Sequence, residues 1–105
     1  MHEWFHVTGY LGEDTSNPTD EQLKAVLTLL FDAKDDEHPN AWITCGSEKG
    51  KLYTLDVYSS GFALYTVYNN VDMEEELEYR RIENVTSAVA FDLWKNLING
   101  NFSNI

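Results

Sequence analysis

Basic residues are scarce: seven Lys and Arg stand against eighteen Asp and Glu, a formal net charge of −11 with histidine neutral. So few cations exclude direct binding of nucleic acid or of an anionic lipid surface, because phosphates would be repelled. The same excess of acid suits a basic protein partner, or serves only solubility. Cysteine is nearly absent. Cys45 stands alone, which rules out an internal disulfide, and within a strand-like run it reads as a small buried apolar residue. Long apolar runs are missing too. No stretch approaches the roughly 20 residues needed to span a bilayer. The N-terminus lacks the basic region and apolar run of a signal peptide, so the expected compartment is the cytoplasm. The sequons Asn84-Val85-Thr86 and Asn101-Phe102-Ser103 then carry no glycosylation meaning, and Asn84 and Thr86 read as helix-start residues.

What the chain does have is aromatics, 13% of residues, within a hydrophobic content of 43%. That composition and a length of 105 residues predict one globular domain, residues 1–105, with a single core. The densest β-prone stretch runs from Ala41 to Asn69. It holds Ala41-Trp42-Ile43-Thr44-Cys45, then Lys51 to Tyr58, then Phe62 to Tyr68. Glu48-Lys49-Gly50 and Ser59-Ser60-Gly61 separate these runs. Gaps this short join antiparallel neighbours, because a parallel return needs a long crossover. A fourth meander strand is expected over Glu75 to Ile82, with Arg80 and Arg81 offsetting acidic neighbours on adjacent strands. Trp4-Phe5-His6-Val7-Thr8 predicts a further strand, at a sheet edge, with Trp4, His6 and Thr8 sharing one face.

Two helices complete the pattern. Glu13 to Pro18 reads as a polar turn. Either Asn17 caps the first helix ahead of Pro18, or Thr19 and Gln22 form a capping box. Leu23, Val26, Leu27 and Leu30 then mark an apolar face opposite Lys24, Thr28, Asp32 and Asp35, and the helix fades near Ala33 to Asp35. The second helix is expected from Ser87 to Asn99, stopped by Gly100. Its apolar residues Val89, Ala90, Phe91, Leu93, Trp94, Leu97 and Ile98 cover about 200° of the circumference. That is wide enough to meet both the sheet and the first helix, or to leave one flank for a partner. The expected fold class is α+β: an antiparallel β-meander of four to five strands with two helices packed on one face. Trp42, Tyr58, Phe62 and Tyr68 should then be partly exposed on the other face. Phe102 is expected to tuck back against the core.

Catalytic and metal motifs are thin. His2, His6 and Glu3 do not make a closed four-ligand metal set. Cys45 has His2, His6 and His38 as conceivable bases and Asp56 as an orienter, but a reactive thiol needs an electropositive setting, which a chain of this charge hardly provides. The Asp-x-Asp-x-Asp-Gly calcium loop and phosphate-cradling glycine loops are missing. No catalytic, cofactor-binding or metal-binding residue is assigned, and the chain is read as a binding protein rather than an enzyme.

Three local signatures resemble the Imm1-type immunity proteins of bacterial polymorphic toxin systems. They are the helix start Asn17-Pro18-Thr19-Asp20-Glu21-Gln22-Leu23, the glycine-punctuated strands, and the late helix Ala88-Val89-Ala90-Phe91-Asp92-Leu93-Trp94 through Asn99-Gly100. The likeness extends from about Asn17 to Gly100. After Gly100 the family pattern has a tryptophan close to the end, where this chain has Phe102. The resemblance implies an α+β fold and a cytosolic toxin inhibitor that binds a cognate toxin domain, often a nuclease or deaminase. Charge agrees with such a role, since an acidic protein can cover a basic groove. The residues expected at that protein–protein interface are Asp35, Asp36, Glu37, Glu74, Glu75 and Glu76 for charge, and Trp42, Tyr58 and Tyr68 as ring anchors. The protein would act as a monomer or homodimer, with no cofactor and no direct contact to nucleic acid or membrane. Two other readings stay open: an acidic mimic of DNA or regulatory binding protein, and a small-molecule-binding domain with a pocket lined by Tyr53, Tyr65 and Trp94.

Overall fold

Alternation along the strands divides the chain between two sheet faces. The computed structural model describes residues 4–33, 40–46, 50–70 and 72–105. Among these residues there are six strands: β1 (Trp4–Thr8), β2 (Asp14–Ser16), β3 (Asn40–Gly46), β4 (Leu52–Tyr58), β5 (Phe62–Tyr68) and β6 (Glu76–Ile82). They form one sheet in the order β2-β1-β3-β4-β5-β6, antiparallel throughout. Helix α1 (Asp20–Ala33) connects β2 to β3, and α2 (Ser87–Ile98) follows β6. This is the expected α+β meander, with more strands than foreseen.

The additional strand is β2. A turn closed by Gly12 N–H donating to the Gly9 carbonyl (2.9 Å) and Gly9 N–H to the Glu13 carbonyl (2.9 Å) folds residues 14–16 back onto β1. The predicted polar turn is therefore the sheet edge, and β1 lies one strand in, between β2 and β3. Three polar residues are too few to show a hydrophobic alternation. A short, charged edge strand also offers little to a stray chain.

The helices start where side chains can satisfy free N–H groups. At α1 the capping box prevails over Asn17: the Gln22 N–H donates to Thr19 Oγ1 (3.2 Å) and the Thr19 N–H to Gln22 Oε1 (2.8 Å). Asn17 instead turns the chain with φ at 47°. At α2 the Thr86 hydroxyl accepts from the Val89 N–H at 3.2 Å, and Gly100 ends the helix with φ at 75°, a value that costs a side-chain-bearing residue more than glycine.

The core lies between the sheet and the helices. Val7, Ile43, Leu55 and Tyr65 stand side by side across β1, β3, β4 and β5. Together with Ala41, Cys45, Val57, Ala63 and Val67 they meet Leu23, Leu27 and Leu30 of α1 and Ala90, Leu93, Trp94 and Leu97 of α2. Burying each large aliphatic side chain stabilises the fold by roughly 1.5–3 kcal/mol. α2 touches α1, β3 and β4, but Val89 stays exposed, so the working apolar stripe is narrower than the sequence suggests. Phe102 tucks back as expected and stacks on Tyr53, 4.7 Å between ring centres.

Among the described residues, the acidic partners of the β6 arginines are on or just beyond their own strand rather than on the adjacent one. Arg80 pairs with Glu78 of its own strand at 3.0 Å, and Arg81 with Glu83 just beyond it. Residues two apart on a strand share a face, so these partners are the nearest available. Both pairs are exposed, where solvent screening leaves such pairs little effect on stability. Among the described residues, no helix is long and apolar enough to cross a membrane.

Candidate functional site

Both helices cover the same face, so the other face of the sheet carries its own set of side chains. Three in-register rows cross it. One is His6, Thr44, Thr54, Thr66 and Tyr79; the second is Thr8, Trp42, Asp56, Leu64 and Arg81; the third is Trp4, Gly46, Leu52, Tyr68 and Glu76. Trp4 lies flat against β3 because residue 46 is glycine: a Cβ there would come within 2.9 Å of the indole. The Trp4 ring also stacks on His6.

An open groove of about 550 Å³ is set into this face, lined by Asn40, Trp42, Thr44, Thr54, Asp56, Leu64, Thr66, Tyr68, Met73, Glu76 and Tyr79. The threonine row supplies its floor. Thr44, Thr54 and Thr66 are under a tenth exposed, because larger neighbours rise around them. The Thr54 hydroxyl lies 3.5 Å from the Thr66 carbonyl, at the long limit for such a bond. One wall comes from the loop before β6. There the Asn69 N–H donates to the Glu75 carbonyl (2.9 Å) and the Met73 N–H to the Asn70 carbonyl (3.2 Å). The Glu75 and Asp72 N–H groups donate to the side-chain oxygens of Asn69 and Asn70. Met73 sits at φ 57° and presents its half-exposed side chain to the groove.

A register shift completes the site. Between Val67 and Tyr68 the β5–β6 ladder slips, so that Glu76, rather than Leu77, stands opposite Tyr68. A bulge of this kind re-aims the side chains that follow it. Here it brings a carboxylate onto the groove face beside Tyr68, with Tyr79 on the same face opposite Thr66.

Asp56 is the chemically distinctive member. It sits mid-strand on β4, between Trp42 of β3 and Leu64 of β5. Burial pushes its carboxyl up to about 6, with an Asn40 side-chain hydrogen bond pulling the other way. Desolvation disfavours the charged form, so a carboxylate held here without a cation is costly. Among the described residues, the lining includes Asp56 and Glu76 and no Lys, Arg or His. Of the described cations, Lys51 is exposed just before β4 and outside the groove lining, Lys24 lies over the Phe91 ring of α2, and Lys95 pairs with Asp20 of α1. Arg80 is placed over Tyr65 on the helix side. Arg81 shares the groove face but rests on Phe62, 3.9 Å from the ring centre, and is paired with Glu83.

Of the residues expected at an interface, Trp42, Tyr68 and Glu76 meet in the groove. Tyr58 is on the same face but stacks on Phe62, with ring centres 4.4 Å apart, outside the groove lining. Glu74 and Glu75 are exposed in the loop that forms the wall, and Glu74 is held by Asn70 at 2.6 Å. Asp35, Asp36 and Glu37 lie outside the described residues. Sequence reasoning gave Asp56 no place in a binding site, and passed over Asn40, Met73 and Tyr79. The polar positions Thr44, Thr54, Asp56 and Thr66 on one strand face were the signal for it.

Of the three residues suggested as a pocket lining, Tyr65 and Trp94 belong to the core and Tyr53 is partly buried against it. Tyr65 and Trp94 are buried, and the Trp94 Nε1–H donates to the Leu55 carbonyl at 3.0 Å. Cys45 is also on the helix side, fully buried, its thiol pushed up to about 12 by desolvation. Asp56 and His6 point to the opposite face, and His2 and His38 lie outside the described residues. Native protein at pH 8 should therefore leave Cys45 unlabelled by iodoacetamide over hours, and label it once unfolded in urea. Rapid stoichiometric alkylation of the folded chain would contradict this placement. Among the described residues, no three His, Cys, Asp or Glu side chains gather closely enough to hold a metal ion.

No protein-family model, curated protein or solved structure matches the chain.

Proposed function

We propose that this is an acidic protein-binding module that neutralises a basic partner by covering it, in the manner of an immunity protein against a toxin domain. The observation that carries the reading is the groove on the helix-free sheet face, where Trp42, Tyr68 and Tyr79 surround the carboxylates of Asp56 and Glu76. Rings in a concavity are typical interface anchors, and an acidic field steers a basic partner and rejects acidic ones. Glu74 and Glu75 in the adjoining loop extend that field. A mimic of nucleic acid would favour rows of carboxylates at phosphate spacing. The two acids within an aromatic setting fit a protein interface better.

The test starts at the reading frame immediately upstream, where this reading expects a large secreted protein with a small C-terminal toxin domain. The reading predicts that the domain co-purifies with this chain and loses its activity in the complex. The association rate should fall at least about tenfold between low and high salt, as screening removes the steering. A rate indifferent to salt removes the electrostatic mechanism, and a domain that never binds removes the function.

A further inference from the structure

Resting on that reading, we propose that the groove is a seat for one arginine side chain of the partner, whose guanidinium lies against the rings of Trp42, Tyr68 and Tyr79 and pairs with Asp56. Four observations converge on a guanidinium. Among the described residues the lining offers two carboxylates and no cation, so it is complementary to positive charge. Its rings supply faces on which a planar cation stacks, an arrangement arginine uses more readily than lysine. Asn40 and the hydroxyls of Thr44, Thr54 and Thr66 line the same space, and their oxygens can accept from a group that carries five N–H donors. Asp56, finally, is partly desolvated in the middle of the sheet, where a buried carboxylate is disfavoured until something positive joins it.

Among the described residues, no cation of the chain fills the seat. Arg81 stands in the same cross-strand row as Asp56, but two strands away, roughly 10 Å at the usual strand spacing. Glu83 and Phe62 hold it there. The groove volume of about 550 Å³ exceeds one side chain, so the arginine would arrive on a loop whose neighbours fill the rest. Phosphate and carboxylate ligands are disfavoured by Asp56 and Glu76, and a lysine ammonium would keep more of its hydration.

The whole chain can be titrated with N-acetyl-arginine amide and with its uncharged isostere N-acetyl-citrulline amide, followed by NMR. The expected result is saturable millimolar binding of the arginine probe, with shifts concentrated at the Trp42 indole N–H and the Thr44, Thr54 and Thr66 amides. The citrulline probe should leave them still. Asp56→Asn should weaken the arginine probe about tenfold or more, and Trp42→Ala about threefold or more. Glu21→Gln, on exposed α1, removes one charge elsewhere and should change nothing. Equal binding of both probes, shifts away from the groove, or an unaltered affinity in Asp56→Asn would overturn the proposal. The toxin domain separates the two readings. If it binds wild type and Asp56→Asn equally well, the arginine seat is wrong and the covering function stands. If the probe binds but the domain does not, the partner as source of the arginine falls together with the covering function.

Discussion

Trp94→Ala should remove a large share of the stability of the fold, about 3–5 kcal/mol, readable as a large drop in the urea midpoint. The indole is fully buried between α2 and the sheet, and is the largest side chain to be so. Its removal leaves a void that helix and strand cannot close without losing the contacts of Leu93 and Leu97 beside it. It also deletes the donor to the Leu55 carbonyl. Domains of this size hold about 5–15 kcal/mol in all, so the variant would be marginal at 37 °C. Trp94→Phe keeps much of the volume but not the N–H, and should fall between the two, about 1–3 kcal/mol below wild type. A midpoint for Trp94→Ala within experimental error of wild type would show that the helix does not pack on the sheet as described.

Asp56→Asn should do the reverse and stabilise the chain at neutral pH. The carboxyl rises from an ordinary value of 3.8 to about 6 on folding. A raised carboxyl binds its proton more tightly in the folded state. Between pH 4 and 6 the native chain therefore holds more protons than the unfolded one, and this group's contribution falls as pH rises. Below pH 4 the neutral acid and the amide are nearly equivalent. Above pH 6 the carboxylate is a liability on the order of 1–2 kcal/mol, after discounting for the solvent that reaches the groove. The measurement is the difference between variant and wild-type urea midpoints from pH 4 to 7.5, which cancels the other carboxylates. It should open from near zero in favour of the variant. A difference that stays flat, or grows in favour of wild type, would mean that Asp56 is well solvated or already paired. A residue that weakens the fold at the pH where it would bind a cation is better explained by binding than by architecture.

Much of the fold is legible from single residues. The β-branched and aromatic runs from Ala41 to Tyr68, the glycines between them and the capping pairs around Thr19 and Thr86 act locally, and local signals survive in sequence. The site is legible only in part. Trp42 and Tyr68 could be picked out because large rings were expected on the half-wet face of a one-sided sheet. Asp56 could not, because its meaning depends on standing opposite Trp42, and pairing register is a property of two strands at once. Glu76 was one of three successive acids. What sets it apart from Glu74 and Glu75 is the slip in the ladder at Val67 and Tyr68, which no side chain announces. The strand Asp14–Ser16 escaped notice because its three polar residues owe their conformation to the turn at Gly9 and Gly12.

Every second position of β3, β4 and β5 answers to a different demand. Ile43, Leu55 and Tyr65 keep the helices in place, while Thr44, Thr54 and Thr66, one residue along, never meet them. Groove positions such as Trp42, Asp56 and Tyr68 can thus be exchanged while the hydrophobic interior stays as it was. A chain built this way can change what its open face meets one side chain at a time, without having to learn to fold again.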